Sequence, residues 1–274
     1  MKGAGLEQIR SLEAQEGRGS TWRSWHSLSL LGILAAVFIV ELLLPTPPRL
    51  WTWFSLLALL GLFAVVAGHG VTGLLLGLLI DTRNKVSLSR LQMTLWTILI
   101  LSGFLAAVIT NIDSGIPEPL AIAIPAELWL LMGISTASLV GSPLIVSMKK
   151  NRPANEDDKV RVLEQLARQS VDPAKVAIRG QLVVNQNAET ARIADLFQGS
   201  ETGNAGQLDL GKLQMFFFTL VLLFAYGTAL AALFKGAGGQ ILALPAMDSG
   251  MLALLAISHA GYLVNKALPH SESA

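Results

Sequence analysis

Polar residues are distributed very unevenly along this chain. Long runs of apolar residues alternate with short polar connections, and one polar stretch near residues 149–208 is much longer than the rest. A bilayer core of about 30 Å needs around 20 apolar residues in a helix. On that length, residues 27–44, 50–80, 91–112, 128–148, 213–234 and 245–268 read as six spans. The second exceeds one crossing, so it should tilt or project. The sixth is the weakest, because Asp248 leaves mainly residues 249–265 as its apolar core.

Composition supports lipid as the solvent. Charged residues make up 14% of the 274 and hydrophobic residues 52%, with a mean hydropathy of +0.55. A soluble domain has roughly a quarter of its residues charged. A net charge of +1 argues against nucleic acid as a partner, and the lack of cysteine excludes disulfides and thiolate chemistry. The lysines and arginines orient the spans. With both termini on one face, that face carries 18 of the 20, leaving only Arg49 and Lys235 opposite. The expectation is an inner-membrane, multi-pass protein with both termini cytoplasmic. Trp51, Trp53 and Trp129 would mark the outer interface, Trp22 and Trp25 the inner one. No small-residue cleavage pattern follows the first run, so it reads as a retained helix.

Internal similarity organises the chain further. Ser87-Leu-Ser-Arg-Leu-Gln-Met-Thr-Leu-Trp-Thr97 matches Asp209-Leu-Gly-Lys-Leu-Gln-Met-Phe-Phe-Phe-Thr219 at a shift of 122, and Leu131–Ala137 matches Leu254–Ala260 at 123. Each copy is then a helical hairpin beginning and ending inside. A weaker third copy, at a shift of 67, sets Arg23 on Arg90. The expected class is all-α and polytopic, with tandem parallel hairpins at 27–80, 87–148 and 209–268. A cytoplasmic segment precedes them (1–26), an insertion interrupts them (149–208) and a tail follows (269–274). Mitochondrial solute carriers also have three hairpins, but their Pro-x-Asp/Glu-x-x-Lys/Arg motif is missing from all three odd helices.

Four stretches carry a resemblance. They are Leu79-Ile-Asp-Thr-Arg-Asn-Lys-Val-Ser-Leu-Ser-Arg-Leu-Gln92, Leu128-Trp-Leu-Leu-Met-Gly-Ile-Ser135, Asp195-Leu-Phe-Gln-Gly-Ser-Glu-Thr-Gly-Asn204 and Asp209–Thr219. In these the chain resembles an uncharacterised family of bacterial six-helix multi-pass membrane proteins. The resemblance implies a six-helix membrane fold and carries over neither an activity nor a site residue.

Within the insertion, residues 157–170 set Val160, Leu163, Leu166 and Ala167 on one face of an amphipathic helix. Val176, Ile178, Leu182 and Val184 alternate, as a short extended segment would. Residues 188–197 could form a second helix presenting Ile193, Ala194 and Phe197. This is too little apolar surface for an independent core, so the insertion should pack on the membrane helices, another subunit or a partner.

Several positions carry candidate chemistry. His69 and His259 fall at equivalent depth in the aligned repeats, either as proton or ion contacts or as interhelical glue, with Thr136 a suitable partner. Gln92 and Gln214 enter the membrane just past Arg90 and Lys212, and Ser135 and Ser258 are matched polar positions. Glu41, Asp113, Glu127 and Asp248, with Glu118, would give an acidic outer face. Gly68-His-Gly-Val-Thr-Gly73 spells a dinucleotide fingerprint, but inside an apolar run its N–H groups are already spent in a helix, so close packing explains the glycines better. Gly133, Ala137 and Gly141 give a small-residue packing seam.

No catalytic motif appears, so no enzyme, cofactor or metal is expected. Two functions remain open. One is an oligomeric, channel-like protein passing a small solute or ion. The other is a membrane scaffold or sensor whose insertion docks a cytoplasmic protein. The lipid bilayer is the expected partner in both, with a homo-oligomer expected in the first.

Overall fold

The computed structural model describes residues 21–43, 49–236 and 239–271, with the side chains of residues 40–43 excepted. Glu41's side chain, the basic residues before Thr21 and the prolines at 45–48 therefore lie outside the described residues. The structure is 68% helical, so the all-α class is apt. Its only β-strands among the described residues are a short antiparallel hairpin, β1 (Val176–Arg179) and β2 (Leu182–Asn185).

Seven α-helices follow in chain order. They are α1 (Ser24–Leu43), α2 (Arg49–Thr72), α3 (Leu88–Asp113), α4 (Ala126–Lys150), α5 (Glu156–Arg168), α6 (Leu210–Lys235) and α7 (Ser249–Ala267). Of these, α2, α3, α4 and α6 are long and apolar enough to cross a membrane. In α1 the side chains are described only over Ser24–Ile39, and the 19 residues of α7 include Ser258, His259, Asn265 and Lys266.

The long apolar stretch at 50–80 does not project as one rod. Its helix stops at Thr72, where Thr72 Oγ1 turns back onto Gly68 O at 2.8 Å and Gly73 takes a φ of +74°. The chain then folds back through a single 3-10 turn at Gly77–Leu79. A Cβ on Gly68 would lie 2.6 Å from the Leu78 backbone nitrogen, and one on Gly70 would meet the Trp22 ring. The glycines of the fingerprint thus serve close approach within a helix.

Four helices close on themselves. α3 packs on α4, α4 on α7, α7 on α6, and α6 back on α3. The α1–α2 hairpin lies outside this ring and reaches it chiefly through α2 on α3. With the helix ends that meet the insertion called inner and the opposite ends outer, the largest apolar core fills much of the ring and extends onto α2, with Trp96, Ile100, Leu128, Leu131, Leu230, Phe234 and Leu255 among its members. The outer connections are tied above it: Asn111 exchanges two hydrogen bonds with the Ile241 backbone, and Ala123 pairs with the strand-like segment at Leu242–Leu244.

The insertion folds against the inner ends of these helices. α5 starts under an Asn155 cap, with Glu156, Asp157 and Asp158 at the positive end of its dipole. It packs Val162 and Leu166 on Val176 and Val183 of the hairpin. The other face of the hairpin sets Leu182 and Val184 on Val146 of α4. Residues 188–197 do not form the expected second helix. They make two 3-10 turns (Ala188–Thr190 and Ile193–Leu196) that bury Asp195 and Leu196 and leave Ile193 exposed. The last described residues are pinned here too. Lys149 Nζ donates to Leu268 O at 2.6 Å, His270 N to Glu201 Oε2 at 3.1 Å, and Thr202 Oγ1 to Ser271 Oγ at 2.8 Å.

Candidate functional site: a buried polar layer above a cationic inner cluster

Two helices bring matched polar faces together. On α4, Ser135, Ser138 and Ser142 recur at intervals of three and four residues, and on α7 so do His259, Tyr262 and Lys266. Those intervals put each set on one helix face. Ser138 Oγ meets His259 Nδ1 at 2.6 Å, and Ser142 Oγ meets Tyr262 OH at 3.3 Å. Lys266 Nζ donates to Ser142 Oγ and, at 2.9 Å, to Tyr262 OH. Across the ring, Gln92 of α3 is fully buried at 0% exposure. Its Nε2 donates to Thr219 Oγ1 of α6, which in turn donates to Met215 O at 2.8 Å.

This layer is only partly satisfied from within the protein. Ser89 Oγ, Gln92 Oε1, Trp96 Nε1, Ser135 Oγ, Tyr226 OH, Ser258 Oγ and His259 Nε2 are buried without a protein partner among the described residues. All seven sit on the four ring helices. Buried polar atoms without partners are rare, because each costs about 1–3 kcal/mol. Of the seven, Gln92, Ser135, Ser258 and His259 lie in the middle of the ring, whereas Trp96 and Tyr226 belong to the large core itself and Ser89 sits in the first turn of α3, beside the smaller core of Val86, Leu88, Leu196, Met215 and Tyr262.

Below it the loop after α2 carries charge into the protein. Asp81 accepts from Arg83 Nε at 2.9 Å and Nη2 at 2.6 Å, while Arg83 Nη1 is buried and unpartnered. Burial pushes the Asp81 carboxyl up, but the adjacent guanidinium outweighs that and holds it below its usual value. Lys85 is buried beside them; its carbonyl accepts from Asp81 N at 2.9 Å, but its ammonium makes no hydrogen bond or ion pair among the described residues. Burial lowers its pKa to about 8, against the pull of Asp195. Lys212 reaches back to the carbonyls of Asp195 (3.1 Å) and Gln198. Lys149 forms a buried ion pair with Glu201. Arg83, Lys85, Lys212 and Lys266 thus face two nearby carboxylates, Asp81 and Asp195, leaving the cluster positive.

The structure separates several positions that look equivalent in sequence. His69 lies in the last turn of α2, its Nδ1 3.0 Å from His26 Nε2, with Trp25 stacked on His26. His259 lies instead in the ring. Thr136 partners neither; it is exposed and donates to Met132 O of its own helix. Gln214 is exposed on the outer face of α6 among Leu210, Phe217 and Val221, whereas Gln92 points inward. No single face of the chain therefore joins the two glutamines. Ser135 and Ser258 both lie in the polar layer. Asp113 is exposed at the end of α3, Glu127 sits in the first turn of α4, and Asp248 caps α7 by accepting from Gly250 N at 2.7 Å. These three acids belong to three helix ends. Among the described residues no group of three or more metal-ligating side chains occurs.

Sequence reasoning passed over Arg83, Lys85, Ser138, Ser142, Glu201, Tyr262 and Lys266. The signal was present in the stretches quoted above: Asp81, Arg83 and Lys85 fall in the first, Asp195 and Glu201 in the third, and Lys212 in the fourth. The fold draws these separate stretches to one place. No family model, curated protein or solved structure matches the chain.

Proposed function

We propose that this is a non-enzymatic, six-helix integral membrane protein that passes a small polar solute or ion through the interior of the α3–α4–α6–α7 ring. The observation carrying this reading is the set of unpartnered polar atoms between those four helices. In lipid, polar groups left without partners are costly, and polar residues inside a bundle mark pathways for water, protons or ions. Apolar side chains close these polar positions on both sides, through the large core on one and the smaller core of Val86, Leu88, Leu196, Met215 and Tyr262 on the other. Passage would require both cores to part, so the described conformation is a closed one.

Six spans and a duplicated hairpin belong to this reading. α3 and α6 are each 26 residues long and begin 122 residues apart, and α4 and α7 begin 123 apart. These are the offsets of the sequence repeat. α1 and α7 would complete the six, and the lysine and arginine distribution would place both termini on the cytoplasmic side of the inner membrane. The path proposed here runs within one chain, so a homo-oligomer is not required for it. Purified protein in liposomes should release a trapped small ion or solute, and His259→Phe should slow release while the protein stays folded. Sealed liposomes with every solute tried would end the proposal.

The second reading, a scaffold or sensor, draws on the insertion. Val160 and Ile193 are large apolar side chains exposed on it, although the insertion is anchored to the helix ends. Liposomes that stay sealed, together with specific capture of one cytoplasmic protein by residues 149–208 in the full chain, would favour it.

A further inference from the structure

α3 begins in an unusual way. Its N-cap residue, Ser87, makes no side-chain capping bond, and the backbone N–H groups of Leu88, Ser89 and Arg90 have no partner among the described residues. A helix of 26 residues thus points a bare positive end at the inner face. Directly against it lies a cleft lined by Asp81, Thr82, Ser87, Ser89 and Arg90 on one side and by Ser142 and neighbouring apolar side chains of α4 on the other. Ser89 is 1% exposed and its hydroxyl is unpartnered. Arg90 Nη1 donates to Leu78 O at 3.3 Å, leaving its remaining N–H groups available.

The charges nearby favour an anion. The Asp81 carboxylate lines the cleft but is already engaged by Arg83 through two N–H groups. Arg90 adds a positive charge, and Lys266 stands behind Ser142, bonded to its hydroxyl. The cleft has about 30 Å³ of accessible volume, enough for about two waters. The cleft is partly open, so it can seat two or three oxygens of one tetrahedral oxyanion while the rest of the group projects outward.

We propose that this cleft binds the phosphate class of oxyanion, held by the first-turn amides of α3, the Ser89 hydroxyl and the Arg90 guanidinium. Helix N-termini with hydroxyl and arginine donors suit phosphate oxygens. The same chemistry could come from free inorganic phosphate or from the phosphomonoester headgroup of a membrane lipid, since the cleft lies at the inner membrane interface. The site does not depend on the permeation reading.

The test uses the full chain, purified in phosphate-free detergent. In one arm inorganic phosphate is titrated and the unfolding temperature followed. In the other, the protein is placed in nanodiscs of phosphatidylcholine with or without phosphatidic acid. Saturable stabilisation by inorganic phosphate assigns the free ion; stabilisation by phosphatidic acid alone assigns the lipid. Ser89→Ala and Arg90→Gln should each weaken whichever response occurs at least about tenfold, the loss of one charge-assisted or buried hydrogen bond. Arg168→Gln, on the exposed face of α5, should leave it unchanged. Arg90 is only half-buried, so its variant reports even if Ser89→Ala fails to fold. No saturable response in either arm, or a response that both variants retain in full, overturns the proposal.

Discussion

Ser138 Oγ and His259 Nδ1 lie 2.6 Å apart between two helices whose sequence positions differ by 121 residues. This contact joins α4 to α7 in the middle of the polar layer, and it leaves His259 Nε2 turned toward atoms that do not satisfy it. Ser138→Ala should cost about 1 kcal/mol, between the membrane average for such bonds and the cost of a newly unsatisfied buried group. Thr136→Ala, whose hydroxyl bonds only within its own helix, should stay within about 0.5 kcal/mol of the parent. Thermal unfolding of both variants in one detergent checks the difference. Equal losses would mean that the Ser138 contact stabilises nothing.

The two glutamines give a second comparison. Gln92 faces the ring interior, and Gln214 faces outward among apolar side chains. If a polar species passes through the ring, Gln92→Leu removes one amide contact worth about 1.4 kcal/mol and slows flux about tenfold. Gln214→Leu should leave flux near the parent rate. The reverse order would relocate the path to an interface between copies of the chain.

Lys149 and Glu201 form a third. Both side chains are 4% exposed, so removing one strands the other. Lys149→Met should destabilise by about 3–5 kcal/mol. Adding Glu201→Gln, which keeps an acceptor for His270 N, should recover most of the loss. Limited proteolysis is the readout, with cleavage at the exposed Arg179 rising in the single variant and falling again in the double.

Lys85 sets a pH dependence. Burial lowers its folded-state pKa to about 8, against 10.5 for the unconstrained group. Between those values the unfolded chain binds the extra proton, so stability rises with pH across that window. Below pH 8 both states are protonated and the fold carries the whole penalty, about 3 kcal/mol. Lys85→Met should flatten the rise and raise stability at pH 7. An unfolding temperature that falls between pH 8 and 10 in the parent, or rises equally in the variant, would place the lysine in water.

The apolar runs announced the helices, and the periodicity of Val160, Leu163 and Leu166 announced α5. Those signals are local and mark the helix, although α5 buries Val162 and Leu166 and leaves Val160 exposed. Residues 73–80 were misread because apolar composition cannot distinguish a span from a chain that turns back to pack on its own helix. The burial of Arg83, Lys212 and Lys266 was not legible for a related reason. Arg83, Lys212 and Lys266 sit where a basic side chain ordinarily reaches lipid phosphates, and only the insertion folding beneath them puts them in the interior. Gln92 and Gln214 occupy matched places in the repeat, yet rotation relative to neighbouring helices turns one inward and one outward. Repeat symmetry in the letters does not fix that rotation.

The pinning of residues 268–271 onto Lys149, Glu201 and Thr202 has a consequence for biogenesis. These bonds cannot form until α7 has been synthesised and has emerged from the ribosome. Until then the hairpin and its neighbours lack their final clasp, and this end of the molecule closes last.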